Sequence, residues 1–77
     1  IKPYISVYPN PTKDKINVSS IGVISDVALF NLLGQQVLFQ KINSTENQID
    51  MTALSSGTYL VKVYADNQVK TLKVVKE

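Results

Sequence analysis

The sequence predicts an all-β domain, an immunoglobulin-like antiparallel β-sandwich of about seven strands. Apolar and polar residues alternate with a period of two in almost every segment. These segments are short, rich in β-branched and aromatic residues, and bounded by the residue types that turns require. No window of about eleven residues carries the apolar stripe of an amphipathic helix, so we expect little or no helix.

The predicted strands follow one another closely along the chain. In order, they cover residues 5–8, 15–19, 27–30, 36–40, 49–51, 59–65 and 69–75. Apolar residues occupy both faces of the strand at 27–30, so we expect it to be covered on both sides. Residues 43–47, with the sequence NSTEN, are the most loop-like segment.

Two tight turns are predicted from their residue types. The first lies near residues 33–34, because Gly34 accepts the positive φ that hairpin turns require. The second lies at residues 66–67, because Asp and Asn tolerate the left-handed region best after Gly. The stretch VALFNLLGQQVLF also suggests a helix that ends at its Leu-Leu-Gly-Gln, but we favour the hairpin.

Composition excludes several classes of function. The chain has 77 residues, enough for one domain, and contains no Cys, His or Trp. It therefore lacks thiolate metal ligands and the commonest general base, and its carboxylates are scattered among turns and ends. The net charge of +2 is too small to indicate nucleic-acid binding, and no apolar run is long enough for a transmembrane helix. We predict no catalytic residue, cofactor or metal site.

The first motif, Pro9-Asn10-Pro11, is a stiff unit. Each proline fixes its own φ and keeps the residue before it out of the helical region. The first strand must therefore stop at Tyr8, and the chain leaves it in a preset, extended direction. We interpret the motif as a rigid turn; the alternative is a docking site for a polyproline-binding partner.

A second motif combines Leu54, Gly57 and Tyr59 just before a late strand. In immunoglobulin-like sandwiches, a Tyr at this place turns its hydroxyl back onto the preceding loop and closes a corner. Leu54 would then fill the core from the loop, and Gly57 would supply the bend. Asp50 is placed to accept backbone N–H bonds in the turn that it opens.

Four of the eight positive charges, all of them Lys, lie in the last third of a short chain at Lys62, Lys70, Lys73 and Lys76. One interpretation is a solvated edge strand that its Lys residues keep from aggregating. The other is a basic docking strip, which strand alternation weakens because Lys73 points away from Lys70 and Lys76.

Four stretches, taken in order, resemble the C-terminal sorting domain of the type IX secretion system of Bacteroidetes, in its common type-A form. They are ISVYPNPTKDKINV, VALFNLLGQQV, IDMTALSSGTYLVKV and VKTLKVVKE. The resemblance covers essentially the whole chain. Single motifs such as Pro-Asn-Pro are weak, whereas the ordered set is specific. The resemblance implies a seven-stranded immunoglobulin-like sandwich, in agreement with the strand pattern.

The resemblance also implies a function. Such a domain is not an enzyme; it directs a cargo protein attached on its N-terminal side across the outer membrane. The implied partners are the type IX translocon, an outer-membrane shuttle protein and a sortase-like cell-surface peptidase. Cargo passes through the periplasm and ends at the cell surface or outside the cell, usually after the domain is cleaved off. We expect residues 1–77 to be one sorting domain cut from a longer protein.

The motif residues carry over position by position. The first family motif falls on Tyr8, Pro9, Asn10 and Pro11; the late motif falls on Asp50, Met51, Thr52, Leu54, Gly57 and Tyr59; the Lys-rich terminal strand falls on Lys70, Lys73, Val74, Val75 and Lys76. Met51 and Thr52 depart from the usual Asp-Leu-Ser. We expect the last two strands to form the recognised surface, and cleavage to occur upstream of the domain or near Ile1.

An alternative function belongs to a different class. A fibronectin-like or carbohydrate-binding accessory module that stays on a secreted enzyme would need an exposed aromatic platform. The candidates are Tyr4, Tyr8, Tyr59, Tyr64 and the two Phe, most of which we interpret as structural. An enzyme ranks third, because the carboxylates are dispersed.

Overall fold

A computed structural model describes residues 5–77 of the chain. Among these residues the structure is all-β, with antiparallel strands and no helix. The strands are β1 (Ser6–Tyr8), β2 (Lys15–Phe30), β3 (Gln36–Asp50), β4 (Gly57–Ala65) and β5 (Gln68–Lys76). The predicted fold class is confirmed, and the helix considered for VALFNLLGQQVLF is absent because this stretch forms parts of β2 and β3 and the turn between them.

The structure has five strands where about seven were expected, because two pairs of predicted strands are continuous. β2 contains both the segment at 15–19 and the segment at 27–30, and β3 contains the next two. The ladder between β2 and β3 changes register between Ser19 and Ile24 and again before Asp26. These irregularities let each long strand bend without a turn, and bending strands commonly use them.

The bends divide the sheet into two halves. The first half of β2 pairs with β1 on one side and with the end of β3 on the other. The second half of β2 pairs with the start of β3 and with β4, and β5 lies beyond β4. Counted by halves, three strand segments face four, which is the arrangement expected of an immunoglobulin-like sandwich.

Both halves contribute to one apolar core. Ile16 and Ile49 come from the three-stranded half, and Leu29 and Val61 come from the four-stranded half; all four are fully buried. Burying each such side chain contributes about 1.5–3 kcal/mol relative to leaving it in water. Ala28, on the outer face of β2, is also buried between its neighbours Phe39 and Lys62, whereas Phe30 on the same face is only partly buried.

The segment at residues 43–47 is not a loop, contrary to the prediction. It lies inside β3, where Ser44 pairs with Ile24 and Glu46 pairs with Ser19. Asn43 has a φ of 53°, which marks the irregular residue at the bend. The polar composition of residues 43–47 is explained by their position. Because β3 pairs with β2 on one side only, the other edge of β3 and much of this segment face solvent.

Both predicted hairpin turns are present. Gly34 has a φ of 85° between β2 and β3, and its N–H donates to the carbonyl of Asn31. Asp66 and Asn67 have φ values of 51° and 59° between β4 and β5. The Asp66 carboxylate lies so close to Gly22 that a Cβ there would be 2.0 Å from Oδ2, so a larger residue at this position would require the Asp66 side chain to move.

Within the described residues, no helix is long and apolar enough to cross a membrane.

Candidate recognition surface at the C-terminal strand

The corner predicted for Tyr59 is present at the start of β4. Its ring is buried, with 5 % of its surface exposed, and its hydroxyl donates to the carbonyl of Ser55 at 2.5 Å. Leu54 is partly buried and packs against the core from the loop, as expected. Gly57 has a φ of 152°, a backbone conformation that side-chain-bearing residues rarely adopt. Together these residues fix the path by which the chain enters β4.

Asp50 opens the loop that leads to this corner. Its Oδ1 accepts a hydrogen bond from the Thr52 N–H at 2.9 Å and a further bond from the Thr52 hydroxyl. The hydroxyl bond, followed by the backbone bond and the charge of Lys15, lowers the pKa of Asp50 below its ordinary value. The ionised carboxylate therefore holds the turn, as the sequence predicted.

The Pro-Asn-Pro motif contacts the last strand of the chain. The Asn10 side chain donates from Nδ2 to the carbonyl of Lys73 at 2.8 Å, and its Oδ1 accepts from the N–H of Val75 at 3.1 Å. Asn10 thus binds the edge of β5 that faces away from β4. Both peptide bonds that precede the prolines, Tyr8–Pro9 and Asn10–Pro11, are cis.

Thr12 extends this contact by one step along β5. Its N–H donates to the carbonyl of Val75 at 2.8 Å, and its carbonyl accepts from the N–H of Glu77 at 2.8 Å. The two segments run parallel here. Thr12 has 2 % of its surface exposed, and its hydroxyl donates to the carbonyl of Lys15 at 2.5 Å. We refer to the contact of residues 10–12 with β5 as the N-terminal clasp.

The sequence did not predict the clasp. Its partners are more than sixty positions apart, at separations of 63 and 65 residues for the two Asn10 bonds. A polar Asn between two prolines was the available sign, because the prolines restrict the backbone that positions its side chain. Nothing in the pattern specified which strand it would face.

The terminal lysines do not form one strip. Lys73 pairs with Leu60, and Lys70 pairs with Val63, so the two side chains project from opposite faces of β5. Both are exposed, whereas Lys76 is only partly so. Of the two valines in the motif, Val74 is fully buried in the core and Val75 is 39 % exposed. Val74 is therefore a core residue, and Lys73 and Val75 lie on the outer face.

No group of His, Cys, Asp or Glu residues within positions 5–77 is arranged to hold a metal ion. The buried polar side chains of this region all have hydrogen-bond partners.

A scan against protein families matches residues 6–77 to the secretion system C-terminal sorting domain. The chain belongs to this family, the C-terminal sorting domains of the type IX secretion system. The resemblance stated from the motifs is thereby confirmed. The chain is also 40% identical over 74 residues to an ulvan lyase of Nonlabens ulvanivorans, with 92% of this chain and 14% of that enzyme covered. The match therefore spans a small part of the relative.

In this sorting domain, the three family motifs meet at one end of the four-stranded half. Tyr59 of the late motif pairs with Val74 of the terminal motif, and Gly57 pairs with Lys76. The first motif reaches the same end of β5 through Asn10. Residues that the sequence places in three separate regions thus support a single strand.

Proposed function

We propose that residues 1–77 are one sorting domain that directs a cargo protein, attached on its N-terminal side, out of the cell through the type IX secretion system. The family match over residues 6–77 is the observation that carries this proposal. The relative supports it, because a match to 14% of an enzyme's length is what a small appended domain gives. The domain itself performs no chemistry; any catalytic activity belongs to the cargo.

The finer steps of this proposal follow the family. The cargo crosses the periplasm, and the folded sorting domain binds the translocon and an outer-membrane shuttle protein. A sortase-like cell-surface peptidase then removes the domain by cleaving upstream of it or near Ile1, and the cargo is released or anchored at the surface.

A fusion experiment tests the proposal. A fluorescent passenger is given a general signal peptide and residues 1–77 with their native upstream linker, and is expressed in a bacterium with the type IX machinery. We expect the passenger at the cell surface or in the medium, measured by protease accessibility and by fractionation. The matched control is the same strain with the translocon gene deleted, in which the passenger should stay in the periplasm.

Two outcomes would contradict the proposal. A folded and intact fusion that remains periplasmic in the wild-type host excludes a sorting function. Equal export in the translocon-deleted host shows that export, if seen, uses another route.

A second candidate function, the carbohydrate-binding accessory module, rests on one depression of about 460 Å³. Tyr8, which is 49% exposed, lines it together with side-chain amides and one carboxylate. Aromatic and amide groups together suit sugar binding, although Tyr4 lies outside the described residues. Titration of the ¹H–¹⁵N NMR spectrum with oligosaccharides tests this candidate, with Tyr8→Ala as the control. Shifts confined to Asn17, Asn47 and Gln48 that vanish in the variant would favour it.

A further inference from the structure

The edge of β5 that faces away from β4 is only partly covered. The clasp bonds identify which peptide groups point to this side, namely the carbonyl of Lys73, both groups of Val75 and the N–H of Glu77. In a regular strand, alternate residues direct their N–H and C=O groups to the same side. The register of β5 against β4 has no irregularity, so Val69 and Thr71 also point away from β4.

Within residues 5–77, no strand lies on the outer side of these two residues. Among residues 5–77, β5 is the last strand of the sheet and pairs with β4 alone. The clasp satisfies the peptide groups from the Lys73 carbonyl onwards and stops there. The N–H and C=O groups of Val69 and Thr71, with the N–H of Lys73, therefore form an open edge. Exposed edges of this kind pair readily with another extended chain.

The side chains beside the open edge give it a chemical character. Lys70 and Lys73 flank it on the two faces of β5, and both are exposed. Lys62 pairs with Thr71, but its Nζ lies 5.1 Å from the centre of the Phe30 ring on β2, on the far side of β4, so it points away from this edge. The two positive charges of Lys70 and Lys73 beside a short stretch of free peptide groups favour an extended segment that carries carboxylates.

A shallow pocket of about 330 Å³ adjoins the same stretch. Tyr64, Asn67 and Val69 line it, and Val69 is 54% exposed. The Asp26 carboxylate also lines it, so the pocket suits an uncharged side chain of the added segment. When a strand is added to a sheet edge, backbone hydrogen bonds give affinity and pockets for alternate side chains give selectivity. The open edge and the pocket together provide both.

We propose that a partner of the sorting machinery binds the sorting domain by adding an extended, acidic segment to the open edge of β5 at residues 69–73, with one of its side chains in the adjoining pocket. The clasp supports this mode of binding, because Thr12 already pairs through its backbone with the other half of the same edge in a parallel bridge, and the Asn10 side chain adds two bonds to it. The inference rests on the proposed sorting function and names the part of the domain that the secretion machinery binds.

The test uses substitutions that block the edge and leave the ladder intact. Thr71→Pro removes an outward N–H and places a ring where an added strand would lie, and prolines are tolerated at such edge positions. Thr71→Val keeps the N–H and is the matched control. The passenger fusion described above is exported from the type IX host, and the melting temperature of each variant domain is measured by circular dichroism. We expect Thr71→Pro to lower export by at least about tenfold and Thr71→Val to leave it unchanged.

A second variant decides the question should Thr71→Pro fail to fold. Lys70→Glu with Lys73→Glu reverses the charge beside the edge and, being at exposed positions, should leave the melting temperature nearly unchanged. Export should then fall, whereas Lys70→Arg with Lys73→Arg should be exported normally. Normal export of the charge-reversed variant, or of a folded Thr71→Pro variant, overturns the inference while the exported parent fusion upholds the sorting function. A parent fusion that is not exported refutes both.

A second copy of this chain could also occupy the open edge of β5, and this must be excluded. Sedimentation velocity of the free domain should show a monomer. A dimer that Thr71→Pro dissociates would assign the open edge to a second copy of this chain and overturn the inference.

Discussion

At the scale of single residues, the hydroxyl of Tyr59 and the amide of Asn10 each join distant parts of the backbone. Tyr59 bonds the carbonyl of Ser55 from a buried position, and Asn10 bonds both a carbonyl and an N–H of β5. The strands themselves can form without either side chain. Their contribution is to fix how a loop meets a strand, and substitutions that remove only the polar atoms can measure it.

Tyr59→Phe should destabilise the domain by about 1–3 kcal/mol. The change deletes one hydroxyl and leaves the Ser55 carbonyl without that partner in a partly buried place. For a domain whose total stability is of the order of 5 kcal/mol, this is a large fraction. Urea unfolding followed by circular dichroism measures the loss. Tyr64→Phe, whose ring lies on the outer face of the same strand, is the control and should change stability little.

If the urea concentration at the unfolding midpoint is the same for Tyr59→Phe and the parent domain, the corner bond contributes nothing to stability and the prediction is wrong.

Asn10→Ala should cost about 1 kcal/mol, because it removes two exposed hydrogen bonds to β5 that water partly replaces. Its more specific effect should be on hydrogen exchange. The Val75 N–H donates to Asn10 and should exchange faster in the variant, whereas the Glu77 N–H, which donates to Thr12, should change less. Asn17→Ala is a suitable control, because its one bond goes to Tyr8 at 3.4 Å. Unchanged exchange at Val75 would mean that Asn10 does not hold the edge in solution.

At the scale of elements, β5 combines two roles that the sequence could not separate. Its inner side chains, Leu72 and Val74, belong to the core, and its outer backbone edge carries the clasp and the open stretch. Deleting the end of the strand therefore removes packing as well as any recognised surface. The lysines, by contrast, are peripheral to the packing.

Removal of residues 74–77 should prevent stable folding of the domain. The deletion takes away the fully buried Val74, its pairing with Tyr59, and the acceptor and donor that hold Thr12. Loss of a large buried side chain alone costs about 2–5 kcal/mol. Replacing Lys70, Lys73 and Lys76 by Gln is the control and should change stability by less than about 0.5 kcal/mol. Melting curves of both variants test this; a truncated domain that melts at the parent temperature would contradict it.

At the scale of the whole molecule, the two ends of the described chain are joined. β1 lies at one end of the strand order and β5 at the other, yet the loop that leaves β1 binds β5. A domain of this size has a small core, so contacts that close the sandwich matter more than they would in a larger protein. The closure also leaves the upstream half of the β5 edge uncovered, and this is where we place partner binding.

The sequence alone determined the strand class, both hairpin turns, the Tyr59 corner and the role of Asp50, because each depends on residues close together in the chain. Period-two patterning follows from the geometry of a strand, and Gly34 and the Asp66–Asn67 pair meet local requirements on φ. The ordered motifs also identified the family. These features could be predicted because no distant residue is needed to specify them.

Tertiary structure alone decided the state of residues 43–47, the merging of strands and the clasp. Whether residues 43–47 form a loop or the middle of β3 depends on their partners in β2, since a polar composition suits both a loop and a solvent-facing edge strand. The same holds for the bends that merge seven predicted strands into five. The clasp between Asn10 and β5 joins residues more than sixty positions apart, and it divides the terminal edge into a covered half and an open half. Pairing over such separations is set by how the whole sheet closes, which no local pattern of residues specifies.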